Sequence, residues 1–381
     1  PARRGLLYAG TEYGVWVSMD DGARWQPLQL NLPRVSVRDL KVAGNDLVAA
    51  THGRSFWVLD DLSPLRQLAD SVTRRAAHLF QPAPTVRWAG YRGGEGLGEN
   101  PPSGVHVDWW FAAPPNGRVT LEFTDAKGAL VRRFTSADSV VVADSLAYQP
   151  ADSLVPVRRG TNRFVWDLRT ANAPKLPNTV LDFGTLRGAW VPPGEYGVRL
   201  IVGADTLARR FTLLPDPRGT STVAELETQY AAVRRVVARI TEVVDGVKRA
   251  EDLQAQLDDR AKRASDSTAA KLLADSAAFV RTRIEAVRAE LYEVGCHVDQ
   301  CTLDMPTKLY NKFITLNMQL QTGAYAPTRQ HGEIHDRLAA QLEARLRELE
   351  RIEGDELARF NALLAKYGLP PVHVGARKPV M

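Results

Sequence analysis

The sequence lacks most of the features that mark a simple functional class. It has no run of about 18 apolar residues, so no membrane-spanning helix is expected. Its basic residues do not cluster. The net charge of +5 is mild for 381 residues, and pairs such as Arg74-Arg75, Arg132-Arg133 and Arg158-Arg159 are flanked by apolar or acidic residues. They read as solvated faces rather than a nucleic-acid footprint. The glycine-rich stretch GYRGGEGLGENPPSG lacks both a following helix and the Lys-Ser/Thr of a phosphate-binding loop. Cysteine is scarce, with 2 in the chain. No leader pattern opens the chain, and Pro1 stands where a Met would. That start is expected to be a processing site or a boundary within a longer chain.

What remains is ordinary globular composition, 44% hydrophobic and 24% charged, with length for two or three domains. The front carries an internal repeat at a spacing of about 40 residues. LLYAGTEYGVWVSMDD aligns without gaps on DLVAATHGRSFWVLDD: Leu7 on Leu47, Ala9 on Ala49, Thr11 on Thr51, Trp16 on Phe56, and Asp20-Asp21 on Asp60-Asp61. Each copy has a β-rich run, a Gly-containing turn and a second β-rich run. Short strands repeated at this period point to β-propeller blades. A propeller closes with roughly 4–8 blades, and this stretch holds fewer than about two. The expectation is therefore the last blades of a partial β-propeller, with upstream blades in the same precursor or a separate chain as partners.

SMDDGARW, with Ser18, Asp20, Gly22 and Trp25, resembles the Asp box of BNR-repeat propellers, found in sialidases, sortilin-type receptors and many bacterial secreted proteins. Arg24 replaces the usual Thr. The residues themselves suit a strand-to-strand turn. Asp and Ser oxygens accept bonds from backbone N–H groups, Gly takes a positive φ, and Trp offers apolar surface. The second copy drops the Gly and Trp, as a turn ornament can. Asp20 and Asp21 are a poor calcium or catalytic pair: one hairpin supplies too few oxygen ligands, and adjacent strand residues point to opposite faces. His52 and Arg54 are the candidates for binding at a propeller face. A sialidase would need an arginine triad and a Tyr/Glu nucleophile pair, which the sequence does not show.

The expected domain plan continues with a linker over 69–104 and an Ig-like β-sandwich over 105–215. VHVDWWF, RVTLEFTD, VRRFTS, NRFVWDL, GEYGVRLIVG and ADTLARRFTLL read as strands, with turns at PPNG, DAKG and VPPGEYG. This stretch resembles the Ig-like domain of flagellar hook-capping proteins through Asp125 and Gly128, Trp166-Asp167, and the run Pro193 to Tyr196. Trp166 is expected in the core and Tyr196 at a corner held by its hydroxyl. The insert 171–190 is expected to fold over the sandwich edge.

Residues 216–381 are expected to form an antiparallel α-helical bundle or coiled-coil region, after terminal blades over 1–68. Ser221 or Thr222 is the expected N-cap. Val223, Leu226, Tyr230, Val233, Val237, Ile240, Val244 and Val247 follow at alternating spacings of three and four, a heptad seam. Val280 to Val294 repeats the pattern, a further helix covers about Lys308 to Gln321, and another begins at about Thr328. PTKLYNKFITLNMQLQTGAYAPTRQ and LLAKYGLPPV resemble the C-terminal region of the same BNR-repeat proteins. Cys296 and Cys301 enclose HVDQ. A disulfide across this loop, free thiols, and a metal site with His297 and Asp299 are the alternatives, the last weakened by its spacing. A disulfide agrees with the resemblance, whose members are typically exported.

The sequence thus implies a non-enzymatic periplasmic or extracellular binding and scaffold protein, without cofactor or metal, engaging a protein or glycan ligand. The alternatives are a sialidase-like glycoside hydrolase with catalytic residues in upstream blades, and a processed subunit of an envelope assembly.

Overall fold

The computed structural model describes residues 3–88, 98–136, 154–177, 179, 181, 183–263, 267–295, 300 and 303–375. The chain is multidomain, β-rich in its first part and helical in its last. The described residues fall into two compact units. One lies within Pro1–Val141, Asp152–Leu168 and Pro192–Arg218, the other within Arg169–Val191 and Gly219–Met381.

The first unit opens with two three-stranded antiparallel sheets. One is β1 (Leu7–Thr11), β2 (Gly14–Ser18) and β3 (Gln26–Pro27), in that order. The other is β4 (Val37–Ala43), β5 (Asp46–Thr51) and β6 (Phe56–Leu59), also in order. The sequence repeat is a backbone repeat. β1–β2 matches β5–β6, and Asp21 and Asp61, at equivalent positions, hold φ of 60° and 59°. Residues alternate across each strand, so one face of each sheet is apolar. Val15 from the first sheet packs with Val37, Leu47 and Ala49 from the second, and Leu62 closes this core. Gly10 is needed there, because a Cβ would lie 2.9 Å from Val37 Cγ1.

The segment 69–104, expected as a linker, contributes structure. After helices α1 (Ser63–Gln67) and α2 (Asp70–Thr73) come β7 (Ala77–Leu79) and β8 (Thr85–Arg87). These strands are too short to show a period. They form because neighbouring sheets offer open edges. The expected strands follow as β9 (Val105–Phe111), β10 (Val119–Asp125), β11 (Leu130–Thr135), β12 (Gly160–Trp166), β13 (Gly194–Val202) and β14 (Asp205–Pro215). They make one sheet ordered β11-β10-β13-β14-β8 and another ordered β12-β9-β7. β8 joins β14 in parallel. The sheets pack through aromatic side chains: Trp166 is fully buried and stacks on Phe123 with centroids 4.3 Å apart. Tyr196 donates its hydroxyl to the Pro192 carbonyl at 2.7 Å, the expected corner. In the Asp125–Gly128 turn, Asp125 Oδ1 accepts the Lys127 and Ala129 N–H groups at 2.9 Å each.

The second unit is built on α3 (Val223–Ala261), α4 (Ser267–Leu291), α5 (Leu309–Gln319), α6 (Arg329–Gly354) and α7 (Glu356–Lys366). Thr222 caps α3 in a reciprocal box with Glu225, and Thr328 caps α6 in the same way with His331. The buried stripe of α3 is wider than a heptad seam, because Val236, Val243 and Gly246 are buried beside Val233, Ile240 and Val244. A stripe this wide faces several helices rather than one. The last expected helix is two, divided at Asp355 after Gly354. Among the described residues, no helix is long and apolar enough to cross a membrane.

The insert 171–190 corrects the expectation. Its Ala173, Leu176, Leu181, Leu186 and Ala189 lie in the helical core with Ile240, Phe313 and Leu342. Thr185 N–H donates to Ile314 O at 3.1 Å. Buried Asn317 donates to the carbonyls of Thr185 and Arg187 at 2.7 and 3.1 Å. An irregular segment can be buried only if its backbone groups find such partners. Gly188 allows the approach, since a Cβ would lie 2.2 Å from Thr170 O and 2.5 Å from Ala171 O.

Gly188→Ala is expected to destabilise the helical unit by about 1–3 kcal/mol through overpacking against backbone. Gly332→Ala, with nothing within 4 Å of its added Cβ, is expected to stabilise it by up to about 1 kcal/mol. Chemical denaturation followed by circular dichroism separates the two outcomes. Equal midpoints would refute the packing of the insert.

Candidate functional site

The Asp-box turn joins β2 to β3. Ser18 Oγ accepts the Gly22 N–H at 2.9 Å and donates to Asp20 Oδ1 at 3.0 Å. Asp20 Oδ1 also accepts the Arg24 N–H at 2.8 Å, and its Oδ2 takes the Arg24 Nε–H at the same distance. Asp21 and Gly22 both have positive φ, 60° and 94°. The hydrogen bond from the Arg24 side chain, then the one from its backbone, hold the Asp20 carboxyl down at about 2. Arg24, the departure from the usual Thr, is thus the counter-ion of the box. A carboxylate this acidic is ionised across the physiological range and does not act there as a proton donor. Trp25 ends the turn 41% exposed, so its ring covers the hairpin only in part.

The second copy uses its acids differently. Asp61 accepts the Ser63 N–H at 3.0 Å and the Asn45 side-chain amide, and donates its own N–H to Asp46 Oδ1 at 3.0 Å. Arg66 donates to Asn45 Oδ1 and to the Gly44 carbonyl. Burial, then the charge of Asp46, pushes the Asp60 carboxyl above its ordinary value; His106 and Arg163 pull the other way. On the neighbouring strands, Arg163 of β12 forks onto Asp108 of β9 at 2.9 and 3.1 Å. Asp108 is 5% exposed, and burial raises its carboxyl in spite of the fork. Sequence reasoning missed this cross-strand pair. Its only signal was an acid inside the apolar run VHVDWWF. Among the described residues, no group of three or more His, Cys, Asp or Glu side chains is placed to hold a metal ion.

His52 and Arg54 sit exposed on the β5–β6 turn, which is bent by positive φ at Gly53 and Ser55. The turn is held by backbone: His52 N–H donates to Ser36 O at 2.8 Å, and Trp57 Nε1–H to Arg54 O at 2.9 Å. The structure does not bring these residues to the Asp-box acids through any hydrogen bond or ion pair among the described residues. It does place them beside Phe56, which is 75% exposed at the start of β6. Cys296 and Cys301, and with them the disulfide reading, lie outside the described residues.

Because the carboxyl of Asp20 is depressed, its contribution to the turn is present above the unfolded value near 4 and is lost as pH falls through about 2. Carboxyl-carbon NMR of Asp20 should show a midpoint near 2, and Arg24→Ala should return it toward 4. A wild-type midpoint near 4 would refute the Arg24 pairing. No family model, curated protein or solved structure matches the chain.

Proposed function

We propose that this chain is a non-enzymatic binding and scaffold protein of the exported Asp-box propeller kind. On this reading its first two sheets are terminal blades that stack on further blades, from the same precursor or a separate chain. The β10–β13 and β9–β12 sheets act as an Ig-like spacer, and the helices as a docking body.

One observation carries the reading. The inner face of β4–β5–β6 packs against the first sheet through Val15, while its outer face carries an exposed apolar strip on β5–β6, bordered by Asp39 and Lys41 of β4. Val48 lies opposite Val58 and Ala50 opposite Phe56, and Val58 and Phe56 are 51% and 75% exposed. β6 pairs only with β5, so its other edge is free among the described strands. Repeating the step that joins the first two sheets covers this array at the usual ~10 Å sheet spacing. A blade suits it better than a small ligand, because the strip lies on a pleated sheet face beside an unpaired strand edge. Each large side chain so covered contributes about 1.5–3 kcal/mol.

The glycosidase reading asks for two carboxyls about 5–10 Å apart, one of them protonated. Asp20, held near 2 by Arg24, does not fill the acid role.

Phe56→benzoyl-phenylalanine, illuminated in producing cells, should crosslink to peptides of Asp-box strands, identified by mass spectrometry. Crosslinks confined to proteins without such strands, or none, would overturn the stacking. Hydrolysis of a glycan panel by this chain, abolished by Asp20→Asn, would overturn the non-enzymatic reading.

A further inference from the structure

The helical unit contains a groove of about 770 Å³ between the start of α5 and the middle of α6. Its charge is unusual for this unit. Elsewhere in the bundle most arginines carry an acid. Arg239 pairs with Glu242 and Glu343, Arg249 with Glu353, Arg283 with Glu348, and Arg351 with Glu348 and Glu356. The groove wall instead gathers Lys308 and Lys312 from α5 and Arg337 and Arg345 from α6. Lys308 reaches Glu290 at 3.4 Å. Among the described residues, the side chains of Lys312, Arg337 and Arg345 make no ion pair or hydrogen bond.

A second feature adds to the field. α5 starts at the groove, and its N-cap residue, Lys308, makes no side-chain capping bond. The first N–H to be used within the helix is that of Lys312, bonded to Lys308 O at 3.0 Å. Thr307, Lys308 and Leu309, where α5 begins, line the groove, so the positive end of the helix dipole lies at its edge.

Shape narrows the ligand. Arg337 and Arg345 are two turns apart on α6, about 12 Å along its axis at 1.5 Å per residue. The cations therefore form a row and not a point. Between them the surface is made by Leu309, Ala340 and Ala344, with the amide of Gln341 among them. No aromatic ring lines the groove, so a sugar has no stacking platform.

We propose that this groove binds an acidic peptide segment of a partner protein, with carboxylates on the cationic rows and small apolar side chains on the alanine floor. The proposal goes beyond the blade-stacking reading and uses none of its residues, so either can fail alone.

The test uses the full chain and a fluorescein-labelled peptide of about twelve residues alternating Glu with Leu or Ala, long enough to span the row when extended. Fluorescence anisotropy should show saturable binding that weakens as salt rises. The double variant Lys312→Glu/Arg337→Glu should weaken it at least about tenfold, as loss of two favourable contacts and gain of two repulsive ones requires. Arg359→Glu, an exposed change on α7 outside the groove, should leave it within about twofold. Circular dichroism confirms that each variant is folded. Equal loss in both variants would reduce the effect to general charge and overturn the proposal. So would no saturable binding, or displacement of the peptide by polygalacturonate at lower concentration than by unlabelled peptide, which would assign the groove to an acidic glycan.

Discussion

The architecture of the helical unit depends on one buried amide. Asn317 is fully buried on α5, and it holds the carbonyls of Thr185 and Arg187. Those carbonyls belong to a segment with no secondary structure of its own. Without Asn317 the Thr185 carbonyl would lose its side-chain donor, at a cost of about 1–3 kcal/mol, and the Arg187 carbonyl would keep Gln321, which donates to it at 3.2 Å. Gln321, one turn on, bonds Asn317 Oδ1 at 2.9 Å and accepts from Arg169. This small network lets an irregular strip of chain fill a gap in a helix bundle. It also interleaves the two units along the sequence. The chain leaves the β-rich unit after Leu168, contributes 169–191 to the helical core, and returns at Pro192. Cutting the protein at either boundary would remove core side chains from the helices, so the units are compact but not separable as sequence segments.

The front of the chain follows a different rule, in which a backbone shape outlasts the residues that first suit it. Asp21 is followed by Gly22, which takes positive φ easily, and Ser18 and Asp20 satisfy the turn from within. Asp61 has the same φ without the following Gly, and its neighbours Asn45, Asp46 and Ser63 supply the bonds instead. Asn and Asp tolerate this region better than other non-glycine residues. The acid pair is kept in both copies because it can adopt the bend, and its hydrogen bonds are rewired to fit.

Legibility followed period. The strands of VHVDWWF and RVTLEFTD alternate over seven residues each and were readable. The seam of α3 was readable because it runs for many turns, and Thr222 with Glu225 marks its start. β7 and β8, three residues each, carry no period at all. They exist because a sheet edge is next to them. The insert failed for the same reason. Leu176, Leu181 and Leu186 are spaced by neither two nor 3.6, so nothing local says which core they enter. Whether the two-sheet body belongs to a propeller or an Ig-like class is likewise not a local property, since it is set by how many sheets close around one another.

The candidate surfaces show the same limit from the functional side. Ser18 and Asp20 lie two residues apart and were visible as a motif, yet their bonds are spent inside the turn. The groove cations lie on two helices about thirty residues apart in sequence, and no spacing links them. What distinguishes them is the acids they lack, in a bundle where most other arginines carry one. Keeping like charges close on adjacent helices costs stability through mutual repulsion, and the first turn of α5 adds to that repulsion rather than relieving it. Glu290 answers one of the four cations, at a long 3.4 Å. Lys312, Arg337 and Arg345 are exposed and solvated, so the cost is small, and the imbalance of charge is what makes an anionic segment the better match for the groove than a neutral one.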